Sequence, residues 1–158
     1  MKKNLRNELK TLTKKLKSIK AKDIMTKSVI TTTEDTTLAD IAKVMIKARI
    51  SGLPVIGKNK GIVGVITADD LFIVMDMIKS GDVMEDNVMA VSNPTVKYAM
   101  STEVIKINKN TTLEKIIAVM KYRNVHTLPV VEGKKIVGVI GRRDVLKNFY
   151  AVVKNLYL

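Results

Sequence analysis

The stretch Gly64-Val65-Ile66-Thr67-Ala68-Asp69-Asp70 ends an apolar run in a hydroxyl side chain and sets a carboxylate three residues later. Seventy-four positions on, the chain repeats the pattern as Gly138-Val139-Ile140-Gly141-Arg142-Arg143-Asp144. If Thr67 and Gly141 close strands and open helices, each copy gathers fresh backbone N–H groups and one carboxylate at one spot. Helix N-termini favour anions, and a fixed carboxylate can accept both hydroxyls of a ribose. The chemistry this predicts is nucleoside or nucleotide binding, at two related places. Asp70 and Asp144 can also be no more than first-turn acids that favour their helices. Thr67 can serve as a helix cap, as a ligand donor, or as both.

Catalytic constellations find no support, and the expectation is a protein that is not an enzyme. The chain has no cysteine and one histidine, His126. That removes disulfides, thiolate metal sites and cysteine nucleophiles. Neither G-x-x-x-x-G-K-S/T, G-x-G-x-x-G nor H-E-x-x-H occurs. Asp69 and Asp70 are adjacent and project differently from a helix, so they do not form an acid–base pair. No metal site is expected. The nine methionines fall mostly at helical core spacing and read as gap fillers.

The elements that must hold the two turns come in two matching sets. Val29–Thr32 reads as a short β-branched strand. Thr36-Thr37 caps a helix from Leu38 to about Arg49, with Leu38, Ile41, Ala42, Met45 and Ile46 as its buried face. Leu53–Ile56 and Ile62–Ile66 are strands around the turn Gly57–Gly61, and a helix from Ala68 to about Lys79 turns Leu71, Val74, Met75 and Ile78 inward. The set restarts with strand Val104–Ile107, helix Leu113–Arg123, strands Leu128–Val131 and Ile136–Ile140, and helix Arg142–Lys154. Pairing Asp23–Ile56 with Tyr98–Val131, and Ile62–Phe72 with Ile136–Leu146, gives 18 identities in 45 pairs. Chance would give roughly three to five, so this is a duplication. Half-repeats this short sit at the low end of what folds alone, and the two are expected to pack sheet to sheet.

At 158 residues, 46% apolar and 27% charged, the chain reads as globular. No apolar run approaches the roughly 18 residues of a membrane span, and no secretory leader is expected. The expected location is the cytoplasm. The net charge is +13, of which residues 1–22 carry +8, nine Lys or Arg against Glu8. Leu5, Leu9, Leu12, Leu16 and Ile19 trace one stripe with a heptad rhythm on this arm. A lone helix of that length is marginal in water, so it must dock. It packs on the body or a sister subunit, contacts nucleic acid through its lysines, or lies on an anionic surface.

The ordered set of strand, helix, strand, strand, helix, with Thr-Leu opening the first helix, a Leu-Pro-Val strand and the Gly-h-h-Thr-x-x-Asp turn, resembles the cystathionine-β-synthase (CBS) domain. Two in tandem resemble a Bateman module, over about Ala21–Tyr150. The implied fold is α/β (α+β), two β-α-β-β-α motifs plus the N-terminal helix. Its divisions are a basic helix over 1–20, motif 1 over 21–80, a linker over 81–95, motif 2 over 96–150 and a tail over 151–158. The resemblance implies a regulatory module sensing adenosine derivatives (AMP, ADP, ATP, S-adenosylmethionine or methylthioadenosine) and a disk-like homodimer. No cofactor is required; the adenosyl compound acts as an effector. In that family the cleft is composite. Carried over, Asp144 is paired with Thr26, Thr31, Ile50 and Ser51, and Thr67 and Asp70 with Ser101, Lys106, Val125 and His126. His126 and Lys106 can equally be structural or solvated.

The copies differ in ways that matter for charge. Gly141 replaces the hydroxyl of Thr67, and Arg142 and Arg143 stand where Ala68 and Asp69 stand in the first copy. Two arginines beside helix N–H groups favour phosphates, whereas Asp69 beside Asp70 disfavours them. The expectation is a more phosphorylated ligand at Asp144, and at Asp70 a neutral or cationic adenosyl compound or an empty site. Two other outcomes are a nucleic-acid-binding regulator whose sensor is the CBS pair, and a purely structural dimerisation module with degenerate pockets.

Overall fold

A computed structural model describes residues 2–80 and 94–157. In chain order the elements are α1 (Lys2–Ser18), α2 (Ala21–Ile24), β1 (Thr32–Thr33), α3 (Leu38–Ala48), β2 (Gly52–Ile56), β3 (Ile62–Thr67) and α4 (Ala68–Ser80). The second half adds α5 (Val96–Ala99), β4 (Ile107–Asn108), α6 (Leu113–Tyr122), β5 (Thr127–Glu132), β6 (Lys135–Gly141) and α7 (Arg142–Tyr157). This is the mixed α/β fold expected, with two three-stranded sheets ordered β1-β2-β3 and β4-β5-β6. The expected linker lies, up to residue 93, outside the described residues.

The chain forms two compact units, and each borrows its opening segment from the other repeat. One unit comprises residues 1–29 with 105–158, the other residues 30–104. In the first, Ala21 and Lys22 donate backbone N–H groups to the carbonyls of Thr111 and Lys109, and Leu113 donates to Ile19. In the second, Val96 and Lys97 donate to Thr36 and Glu34, and Leu38 donates to Pro94. The borrowed segment thus pairs backbone groups around the N-cap turn of α6 or α3, among them the N–H of the first helical residue, Leu113 or Leu38, which a helix start leaves unpaired. This clip also explains why the N-terminal helix does not run to residue 20. Lys20 is extended, at φ −115°, and a short α2 follows.

Each unit has its own core. Leu38, Ile41, Met45, Leu53, Val55, Ile66, Leu71, Val74 and Val96 bury together in one. In the other, Ala21, Ile24, Ile107, Leu113, Ile116, Leu128, Val130 and Ile140 do the same, with Leu16 and Ile19 of the arm packed on them. The Thr-Thr-Leu starts behave as the spacing predicts: Thr37 and Thr112 accept from the N–H of Asp40 and Lys115.

Three expectations are corrected. The first strands are shorter and later than Val29–Thr32 and Val104–Ile107, because only Thr32-Thr33 and Ile107-Asn108 reach parallel partners in β2 and β5. Upstream, Val29 and Val104 donate to the carbonyls two residues back, at Lys27 and Thr102, a γ-turn pattern that takes the chain out of the ladder. Ile46 is 78% exposed, not buried with α3's core face. Met75 and Ile78 are 53% and 57% exposed, because α4 buries only the narrow stripe through Leu71 and Val74.

Candidate functional site: two aspartate turns

In the unit of residues 30–104, β3 ends at Thr67 and α4 begins at the next residue. One carboxylate oxygen of Asp70, Oδ2, accepts from the Thr67 N–H at 2.7 Å and from the Thr67 hydroxyl at 2.6 Å. The Asp70 N–H returns a longer bond to the Thr67 hydroxyl oxygen at 3.4 Å. This is a capping box with aspartate as the third helical residue, so the cap role of Thr67 is realised. The box spends one oxygen of the carboxylate. Its other oxygen accepts no hydrogen bond among the described residues.

The strands set the surroundings. β2 pairs antiparallel with β3 in the register Gly52↔Thr67, and the Ala68 N–H donates to the Ser51 carbonyl at 2.9 Å. Ile50 and Ser51 therefore lie beside the turn. On β3's other edge, Val65 exchanges two backbone bonds of 3.0 Å with Ser101, which brings the borrowed segment to within two residues of Thr67. β1 runs parallel to β2, so Thr31, just before it, lies at the same end of the sheet. Thr31, Ile50, Ser51, Thr67, Asp70 and Ser101 thus cluster at one sheet end.

The other unit repeats the layout with different side chains. The Gly141 N–H donates to Asp144 Oδ2 at 2.8 Å, and there is no hydroxyl to add a second bond. Val139 bridges Thr26 through backbone bonds of 3.0 and 2.9 Å, the counterpart of Val65 and Ser101. β5 pairs with β6 in the register Thr127↔Gly141, so Val125 and His126 flank this turn. Lys106, just ahead of β4, stands exposed at the same sheet end, and Arg142 and Arg143 are exposed on the first turn of α7. His126 is half-buried, with Nε2 3.2 Å from Asn124 Oδ1. At the far end of this sheet the Lys109 ammonium bonds Glu132. That hydrogen bond, then the same charge, holds the Glu132 carboxyl below the ordinary carboxylate range.

By unit, then, Asp144 is grouped with Thr26, Lys106, Val125 and His126, and Asp70 with Thr31, Ile50, Ser51 and Ser101. Of the partners expected for Asp144, Thr26 shares its unit. Of those expected for Asp70, Ser101 does. The remaining carried-over partners lie in the opposite unit in each case.

Two features escaped the sequence reading. Arg49 and Asn124 adopt left-handed backbone, at φ 54° and 49°, and this reversal delivers the chain into Ile50-Ser51 and Val125-His126. Asn tolerates that region; Arg does so at a cost. Met25 and Met100 also lie against glycines of the third strands. A Cβ on Gly138 would come 2.8 Å from Met25 Cγ, and one on Gly64 would come 2.6 Å from Met100 Sδ and 2.9 Å from the Ser101 carbonyl oxygen. The recurrence of Met and Gly at matching places in both repeats was the available signal.

Comparison with known proteins decides the family. The model of the CBS domain matches residues 21–76 and again 96–151. The chain belongs to the CBS domain family. With two matches it is a CBS domain pair, as the repeat and its motifs predicted. Uncharacterized protein MJ1225 of Methanocaldococcus jannaschii is 31% identical over 119 residues, which is 74% of this chain and 42% of that protein. The CBS pair thus spans less than half the length of that curated relative. Among solved structures, the CBS domain pair of protein MJ0100 in complex with 5′-methylthioadenosine and S-adenosyl-L-methionine superposes with a TM-score of 0.71, at 24% identity over 84% of this chain and 96% of that one. CBSX2 in complex with AMP gives 0.69, at 21% identity over 85% and 98%. At these identities the likeness is one of fold. Among the described residues no helix is long and apolar enough to cross a membrane.

Proposed function

We propose that this CBS pair is a regulatory module that binds adenosine derivatives at its two aspartate turns. The observation that carries the reading is the state of the carboxylates. Each is anchored through Oδ2 to the residue just before its helix, which fixes its position and leaves the second oxygen to accept from a ribose diol. Two charge-assisted bonds at roughly 1.5–3 kcal/mol each set the scale of that contact. Ile50 and Val125 would bound the base, and Ser51, Ser101, Thr26, Thr31, Lys106 and His126 would line the approach. The fold neighbours, crystallised with AMP or with methylthioadenosine and S-adenosylmethionine, support adenosyl compounds as the class.

The two turns would select different members of that class. Arg142 and Arg143 bring two cations to the start of α7, beside a turn that lacks a hydroxyl, and favour phosphate groups. Asp69 next to Asp70 gives the other turn an excess of negative charge, which favours a neutral or cationic adenosyl compound. The module would regulate by its own packing, since a ligand shifts a two-state arrangement only through its differential affinity for the two states. A homodimer is part of the proposal. Calorimetric titration of ATP into Asp70→Ala and Asp144→Ala proteins tests the difference: affinity falls on the order of a hundredfold only in Asp144→Ala. Equal ATP binding by the two variants would contradict it.

A further inference from the structure

The arm carries a row of cations that the CBS motifs do not use. Arg6, Lys10, Lys14 and Lys17 recur at spacings of four, four and three on α1, and with Leu9 and Thr13 they line one shallow groove along that helix. All four are exposed. Lys17 reaches the Glu114 carboxylate at 3.7 Å, while Arg6, Lys10 and Lys14 have no ion-pair partner among the described residues. From Arg6 to Lys17 the row is about 16 Å long at 1.5 Å per residue. It is held on a helix, and Glu8, the only carboxylate in α1, is not among the residues that line the groove.

We propose that this face of α1 binds the phosphate backbone of duplex nucleic acid, without reading sequence. Three physical points select that occupant. A regular row of positive charge complements a regular line of negative charge, and a duplex offers one phosphate per about 1.7 Å of axis. A helix that lies on a bilayer needs a broad apolar face free to insert. Among the described side chains of α1 and the turn after it, Leu16 and Ile19 are packed on the unit's own core and Leu12 is half-buried, so Leu9, 55% exposed, is the one large apolar side chain of these on offer beside the cations. Single-strand binders stack bases on aromatic rings, and α1 contains none. The inference is independent of the adenosyl reading, and its test contains no adenosyl ligand.

The test is fluorescence anisotropy of the full chain with a labelled mixed-sequence DNA duplex of about 20 base pairs, across a salt series. Four phosphate contacts give a slope of log affinity against log salt near −3.6, so raising salt from about 50 to 200 mM weakens binding about a hundredfold. Arg6→Ala/Lys10→Ala/Lys14→Ala flattens the slope to about −1 and abolishes measurable binding at the higher salt. Alanine keeps the helix, and an unchanged circular dichroism spectrum checks it. A control with three exposed lysines removed elsewhere, Lys43→Ala/Lys58→Ala/Lys134→Ala, keeps the parent slope. Equal losses in both triple variants mean bulk charge and overturn the proposal. So does an absence of duplex binding at about 50 mM salt, or binding to phosphatidylserine-containing vesicles or single-stranded RNA in preference to the duplex.

Discussion

Thr67 and Gly141 hold the same place in two copies of one turn, and the exchange of a hydroxyl for a hydrogen alters how the carboxylate is held. Asp70 is fixed by two donors on one residue; Asp144 is fixed by one. Nothing in the backbone obliges position 141 to be glycine. A Cβ there would meet only ordinary contacts, Asp144 Oδ2 at 3.7 Å and the His126 carbonyl oxygen at 4.0 Å. Gly141→Thr should therefore complete the second capping box. Caps of this kind contribute about 0.5–2 kcal/mol, which corresponds to a rise of roughly 2–4 °C in melting temperature per kcal/mol for a chain of this size. A calorimetric melt reads it, and a fall in melting temperature would show that the missing hydroxyl is no structural vacancy. The aspartates and the asymmetry of their neighbours were legible in the sequence because they recur at fixed spacing. Arg49 in left-handed backbone was not, since arginine carries no sign of it; Asn124, its counterpart, does.

At the scale of elements, the helices and paired strands were legible from periodicity and from the Thr-Thr-Leu and Leu-Pro-Val starts. The borrowed segments were not. Four-residue helices such as α2 and α5 have too few turns to show a period, and nothing in a linear pattern says which copy of a repeat a segment will pack on. Each segment lies close over a glycine, through the Met25 side chain at Gly138 and through both side chain and backbone at Gly64. At Gly64 an added Cβ would lie 2.9 Å from the Ser101 carbonyl oxygen as well as against Met100. A side-chain rotation can relieve the sulfur contact but not the backbone one. Gly64→Ala should accordingly cost about 1–3 kcal/mol and lower the urea midpoint without changing the urea dependence of unfolding. Met100→Ala in the same background should restore only part of the loss. Full restoration would mean that the methionine alone, and not the bridge to Ser101, sets the spacing.

For the whole molecule, charge and repeats were legible in the sequence, but which apolar faces stay uncovered was not. Phe72, Ile73, Met75 and Ile78 on α4 are each more than half exposed, as are Leu146 and Tyr150 on α7. Periodicity shows that a helix has an apolar face, not whether its own unit has enough surface to cover it. The proposed homodimer accounts for these side chains as the contact between copies. Ile73→Glu would bury a charge in such a contact, and light scattering should find the variant monomeric where the parent is a dimer. A variant that stays dimeric would place the interface elsewhere.

The central claim, that adenosyl ligands bind at the two aspartate turns, is tested most directly by calorimetric titration of AMP into the full chain and into Asp70→Ala/Asp144→Ala. Saturable binding in the parent, weakened on the order of a hundredfold or more in the double variant, is the predicted result, since a few kcal/mol of carboxylate–ribose bonding is removed from each turn. Equal affinity in the two proteins would contradict it, because the carboxylates would then take no part in holding the ligand.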